Sequence, residues 1–199
     1  MSSIRVALTI DAEHPDRPAA TANPHLMLDA LSAAGARATF FVQGRWAAAH
    51  PDLSRRIADD GHLIGNHSDS HAPMDMLTDD GIRDSVARAE RAIETASGAS
   101  PRPWFRCPYG QGEDDPRVLE VLSAIGYRNV GWDIDREDWQ PDRTAEELVD
   151  GIAVDVAAHA DGAVVVLHVW PDATLAAIPR LITRLRAAGA ELVGLDELA

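Results

Sequence analysis

His67 and His71 stand four residues apart in the polar segment Gly65-Asn66-His67-Ser68-Asp69-Ser70-His71, which follows a short apolar run. On a helical turn, positions i and i+4 share a face, so two imidazoles at this spacing can reach one cation. Neutral imidazole is the commonest ligand for zinc and similar metals, and a catalytic zinc usually takes three protein ligands and keeps one position open. A histidine pair by itself is more often two solvated loop side chains. The metal reading therefore needs a third ligand, a base and an acid elsewhere in the chain.

Four other clusters could supply them. Asp11 and Glu13 are separated by one residue at the end of an apolar run, and a period of two points both side chains to one side. One carboxylate can bind the metal while the other, kept ionised by the nearby cation, takes a proton from water. Ala12 between them offers no ligand atom, and alternation turns His14 away. Arg106 can pair with a carboxylate and fix its orientation, and the backbone N–H of Tyr109, in a Pro-Tyr-Gly turn, is a candidate oxyanion donor. Asp135, Asp138 and Trp139 form an acidic run with an aromatic that suits the wall of a sugar-sized cleft. His168 ends the most apolar run of the chain, and an adjacent carboxylate would raise its pKa and let it act as a general acid.

These clusters have to be positioned by regular elements. Strand-like runs fall at 5–10, 38–42, 63–64, 104–106, 127–132, 163–167 and 191–193. Helical stretches alternate with them: one opens at Asn23-Pro24 with cap and first-turn chemistry, one at Pro51, and one at Thr78 that closes at Gly98. Further helices run from about Asp115 to Ile125, from the capping-box sequence Thr144-Ala145-Glu146-Glu147, and from Ala173 to Ala188. Strands alternating with helices imply a parallel sheet with helical crossovers, either a barrel or an open doubly wound sheet. The five clusters each fall at or just beyond the C-terminal end of a strand, the rim on which barrel enzymes build their sites, which favours the barrel. No linker, repeat or low-complexity tract divides residues 1–199, which are expected to form one domain.

Composition narrows the function. Net charge is −14, and all 18 basic residues are Arg. An acidic chain with no basic cluster argues against nucleic acid or an anionic membrane as partner. Without Lys there is no Schiff-base, general-base or phosphate-loop lysine. One cysteine, Cys107, excludes an intramolecular disulfide. The segment Met1-Ser2-Ser3-Ile4-Arg5 has no basic region followed by a long apolar run, and a cytoplasmic location is the expectation.

The chain resembles the NodB-like polysaccharide deacetylases, carbohydrate esterase family 4, over nearly its whole length. Thr9-Ile10-Asp11-Ala12-Glu13 loosely matches the family's TFDDG motif, and His67-Ser68-Asp69-Ser70-His71 meets H-[ST]-x-x-H in full. Arg106-Cys107-Pro108-Tyr109 matches R-x-P-Y, Asp135-Arg136-Glu137-Asp138-Trp139 matches D-x-x-D-W, and Leu167-His168 matches the strand-end L-H. The resemblance implies an α/β fold, a distorted (β/α) barrel with usually seven parallel strands, and metal-dependent hydrolysis of an N-acetyl group. It implies Asp11 as base, His67 and His71 as metal ligands, and Arg106 as the arginine that orients the base. It implies Tyr109 as backbone oxyanion donor, Asp138 as the carboxylate polarising the catalytic histidine, and His168 as the acid. The sequence departs from the family where the usual third ligand, the second Asp of TFDDG, is Ala12. Some branches carry that carboxylate one residue later, which makes Glu13 the third ligand, and such branches include hydrolases of atypical amides and imides. The expected cofactor is a divalent cation, zinc first, with cobalt, nickel or manganese served by the same donors. Expected substrates are an N-acetylated carbohydrate or, alternatively, a small non-carbohydrate amide or cyclic imide. A third reading, prompted by Ala12, is an inactive barrel that only binds sugar.

Overall fold

Residues 4–15 and 23–198 are described by the structure, a computed structural model; the expected roles of Met1-Ser2-Ser3 and of the Asn23 side chain lie outside the described residues. The alternation read in the sequence yields β1 (Ile4–Ala12), α1 (Asn23–Ala33), β2 (Thr39–Val42), α2 (Gly44–Ala49), α3 (Pro51–Asp59) and β3 (Leu63–Asn66). It continues with α4 (Asp79–Ser97), β4 (Trp104–Phe105), α5 (Pro116–Ala124), β5 (Arg128–Asn129) and α6 (Ala145–His159). The last elements are β6 (Ala163–His168), α7 (Asp172–Ala187), β7 (Ala190–Val193) and α8 (Leu195–Leu198). The strands form one sheet with neighbours in the order β5-β4-β3-β2-β1-β6, and β7 pairs with β1. The registers are parallel: Ile4 lies opposite Ala190, Asn66 opposite Phe105, and Trp104 opposite Arg128. All of β2 and β1 from Val6 onward are buried, so both strands are mostly apolar without alternation, interrupted only by Thr9, Asp11 and Thr39.

The chain divides into two compact units. The first comprises Met1–Ile10, Arg17–Thr39 and Trp132–Ala199. In it α7 packs against α6 and α1, burying Ala177, Ile178, Leu181, Ile182 and Leu185 at helical spacing. The capping box at the start of α6 is formed in full: Thr144 Oγ1 accepts from the Glu147 N–H, and the Glu147 carboxylate accepts from the Thr144 N–H.

The second unit comprises Asp11–Asp16 and Phe40–Gly131. Its α4 starts at the Thr78 cap, ends at Gly98 in the left-handed region, and packs against α2, α3 and α5. Below it a cluster of Met74, Val86, Phe105, Cys107, Val118, Leu122 and Tyr127 is buried.

Two elements differ from the sequence expectation, each for a physical reason. The helix α2 has no side-chain cap and begins on glycine, so nothing local announces it. Its first N–H groups are satisfied from a distance, Gly44 donating to the Ser68 carbonyl (2.9 Å) and Arg45 to that of Asp69 (3.1 Å). The strand expected over 127–132 is reduced to Arg128–Asn129. Beyond it the carbonyls of Val130 and Gly131 accept hydrogen bonds from the Arg106 guanidinium (3.1 and 2.9 Å).

Candidate metal centre and catalytic residues

The histidine segment is not helical. Ser68 and His71 both have positive φ (61°), so the chain curls into an irregular loop that brings the two rings together. Polar side chains build this loop. The Asn66 amide donates to the Val86 carbonyl and its oxygen accepts from the Ser68 N–H (2.9 Å), and Ser68 Oγ accepts from the His71 N–H (3.1 Å). The Asp69 N–H donates to Ser85 Oγ on α4, and its carboxylate accepts from Arg88. The result is a His67 Nε2 to His71 Nε2 separation of 3.0 Å, with both rings buried.

Glu13 completes the group. Its Oε2 lies 3.3 Å from His67 Nε2 and in direct contact with His71 Nε2, and the three ligand atoms all fall within 4.8 Å of one another. The tautomer of His67 is fixed by its surroundings: Nδ1 lies 2.9 Å from the Arg106 carbonyl, which can only accept, so Nδ1 carries the proton and Nε2 the lone pair. Glu13 Oε2 is buried, with both Nε2 atoms as its near neighbours. Two imidazole nitrogens and a carboxylate oxygen therefore crowd into one small buried space, all within 4.8 Å of one another. Burial alone would raise the Glu13 carboxyl, but His14, His67 and His71 outweigh it and hold it below the ordinary carboxylate range. Burial lowers the His71 imidazole. A carboxylate and two imidazoles are a donor set that suits a divalent cation, and these residues fit one.

Beside the group stands a buried ion pair. Arg106 is fully buried, donates from Nη1 to Asp11 Oδ1 (2.8 Å), and stacks over the Phe41 ring at 4.1 Å. Nε and Nη2 donate to the Val130 and Gly131 carbonyls just beyond β5, so all three guanidinium nitrogens are engaged. The other Asp11 oxygen is 3.7 Å from His67 Nε2. Tyr109, also with positive φ (59°), sits in a tight turn over Pro108–Gly110 with its ring edge against His71 at 4.3 Å.

His14 is the residue the sequence placed wrongly. Alternation would turn it away, but β1 ends at Ala12 and His14 takes a left-handed φ of 54°. This bends the ring back onto its neighbour, with Nε2 3.1 Å from Glu13 Oε1 and the ring edge against His71.

In the first unit, His168 closes β6 and meets Asp138 twice: Nδ1 is 2.6 Å from Oδ1, and the backbone N–H donates to Oδ2 (2.8 Å). The hydroxyl of Thr174, in the first turn of α7, donates to the same Oδ2, so the buried carboxylate is satisfied on both oxygens. Neither Thr174 nor Asn66 stands out in the sequence: Thr174 acts on a carboxylate 36 positions away, and Asn66 ties the loop to a carbonyl 20 positions away. Trp139 is 41% exposed beside this pair in sequence. Burial raises the Asp135 carboxyl, partly countered by the N–H of Glu137 that it accepts. The second unit thus brings together Asp11, Glu13, His67, His71, Arg106 and Tyr109, and the first holds Asp138, Trp139 and His168.

A three-donor cluster that could hold a metal ion thus stands beside a buried aspartate–arginine pair on a parallel α/β sheet. A family model described as polysaccharide deacetylase matches residues 1–130, and the chain belongs to that family. A peptidoglycan-N-acetylglucosamine deacetylase of Listeria monocytogenes is 30% identical over 98% of the chain, which spans 38% of that relative's length. The crystallised family 4 carbohydrate esterase from Streptomyces lividans, in complex with acetate, is 32% identical with a TM-score of 0.82 over 96% of this chain and 91% of that one. A family 4 pseudoenzyme from Bacillus anthracis is 27% identical with a TM-score of 0.87, over 98% of this chain and 65% of that one. The α/β fold of NodB-like (β/α) barrel type expected from the motifs is the fold of these proteins.

Proposed function

We propose that the protein is a metal-dependent deacetylase that hydrolyses the N-acetyl group of an amino sugar, alone or in a polymer. The observation that carries this reading is the convergence of Glu13 Oε2, His67 Nε2 and His71 Nε2 beside the Arg106–Asp11 pair. Glu13, His67 and His71 would hold a divalent cation, which would supply Lewis acidity for the amide carbonyl and for water. Asp11 accepts the proton of the attacking water, its carboxylate aimed by Arg106. The Tyr109 N–H donates to the developing oxyanion. His168, with Nδ1 against Asp138, gives a proton from Nε2 to the departing amine. The roles of Tyr109, Asp138 and His168 are those the motif resemblance implies.

A second reading keeps this machinery and changes the substrate to a non-carbohydrate amide or cyclic imide. Ala12 favours it: the side chain at the usual third-ligand position is a buried methyl, and Glu13 takes over from the next residue. Against an inactive sugar-binding barrel stand the Asp11–Arg106 and His168–Asp138 pairs, which supply a base and an acid that binding alone does not call for.

One experiment separates the three. Chelator-treated protein, reloaded in turn with zinc, cobalt, nickel and manganese, is assayed for acetate release from N-acetylated chitooligosaccharides, peptidoglycan fragments and small acetamides, and for ring opening of cyclic imides. Metal-restored acetate release from the sugars supports the deacetylase. Turnover of imides alone supports the second reading, and sugar binding without turnover under any metal supports the third.

A further inference from the structure

Glu13 has two carboxylate oxygens, and only Oε2 belongs to the converging donor group. The other, Oε1, faces His14 Nε2 at 3.1 Å. A carboxylate oxygen can only accept, so His14 Nε2 carries a proton and its lone pair sits on Nδ1, at the opposite edge of the ring. His14 is accordingly outside the three-residue donor cluster. It is also held in place. Its backbone N–H donates to Gln43 Oε1 (3.1 Å), while the Gln43 N–H donates to the Ala12 carbonyl (3.0 Å), so buried Gln43 clamps the chain on both sides of Glu13. His14 adopts a left-handed φ that non-glycine residues avoid, and the clamp is what maintains it. The ring edge of His14 rests on His71 at 4.8 Å, closing the flank of the group.

We propose that His14 is a positioning residue of the metal centre: it holds Glu13 Oε1 and so presents Oε2 alone, in one direction, to the cation shared with His67 and His71. The inference rests on the metal-dependent reading above. It gives the Ala12-Glu13-His14 sequence a coherent logic. A longer side chain displaced by one residue reaches the cation with more rotatable bonds, and the adjacent imidazole removes that freedom.

Zinc affinity is measured by competition with a chromophoric chelator for wild type, His14→Ala, His14→Gln, Glu13→Ala and the Glu13→Ala/His14→Ala double variant. Thermal unfolding of each metal-free protein is recorded alongside. The expected result is zinc binding weakened roughly 10- to 100-fold in His14→Ala. His14→Gln, whose amide can donate the same bond, recovers most of that loss. Removing His14 from the Glu13→Ala background changes nothing further, because the effect runs through Glu13. Wild-type affinity in His14→Ala overturns the proposal. So does an equal loss in the Glu13→Ala background, which would make His14 a ligand in its own right. If His14→Ala does not fold, Gln43→Ala tests the same clamp: a smaller loss in the same direction supports it, and no loss overturns it. Wild-type protein that binds no zinc, cobalt, nickel or manganese sinks the metal-dependent reading itself, a result distinct from the others.

Discussion

Arg106 shows how much chemistry one buried side chain can organise. Its guanidinium has no exposed surface and meets one carboxylate and two carbonyls, while its own carbonyl fixes the tautomer of His67. A single residue thus aims the candidate base and the lone pair of a candidate ligand. Removing one partner of a buried charge pair typically costs about 3–5 kcal/mol, so Arg106→Leu should lower the unfolding free energy by about that amount in urea titrations. A shift under about 1 kcal/mol would mean that Asp11 finds another partner or water. Asp11→Asn keeps an oxygen for Arg106 to bind but removes the base. Acetate release should fall roughly 10²- to 10⁴-fold while bound metal stays at the wild-type level. Loss of metal together with activity would instead make Asp11 a ligand. At this scale the sequence was legible where a residue's partner is another motif residue, as with Asp11, Arg106, His67 and His71. It was not legible for His14, whose alternation-based placement fails once the strand ends at Ala12, nor for Thr174 and the bond from Asn66 to Val86, where the partners are remote in sequence.

Elements were readable to the extent that their ends are written in local chemistry. Thr78, Gly98, Asp115 and the Thr144–Glu147 box mark helix boundaries that the structure places within a residue of expectation. The helix α2 was invisible because its cap is the carbonyl pair of the histidine loop, contributed from more than 20 residues away. That dependence also ties α2 to the candidate site. Gly44 lies so close to α4 that an added Cβ would sit 2.8 Å from the Ala89 Cα and 2.7 Å from Asp69 Oδ1. Gly44→Ala must therefore push α2 away from α4 and disturb Asp69 inside the loop that carries both histidines. Overpacking of this kind costs about 1–3 kcal/mol, and zinc affinity should fall with it. Thr144→Ala, which removes the α6 cap far along the chain, should cost about 1 kcal/mol by urea unfolding and leave zinc affinity unchanged. Equal affinity losses in the two variants would show that metal binding follows global stability and not the geometry of this loop.

Across the whole molecule, strand–helix alternation and the recurrence of polar clusters after strands were enough to indicate a parallel α/β sheet. The order of strands was not, because pairing partners such as β1 with β7 are separated by most of the chain. The shortness of β4 and β5 depends on who takes up the carbonyls at their ends, which is equally a tertiary matter. One residue offers a readout of stability at this scale. Cys107 directly follows Arg106, is 1% exposed within the core cluster of the second unit, and has its thiol pushed up to about 12 by burial, with smaller contributions from Glu113 and Asp75. At pH 8 such a thiol is roughly one part in 10⁴ thiolate, whereas an ordinary thiol is about one quarter ionised. Alkylation must therefore proceed through opened molecules, in which the thiol recovers its normal acidity. Because Cys107 is bonded through the chain to the arginine that sets His67, the opening that exposes it should dismantle the candidate metal site. A cation bound only to the closed state then slows labelling by the factor 1 + [M]/Kd, about 100-fold at one hundred times Kd. Iodoacetamide labelling followed by mass spectrometry, with zinc or with chelator, should show that protection in wild type and none in Glu13→Ala. Rapid labelling indifferent to zinc would mean that Cys107 is reached without disturbing the Glu13–His67–His71 group, and would separate the stability of this core from the candidate centre.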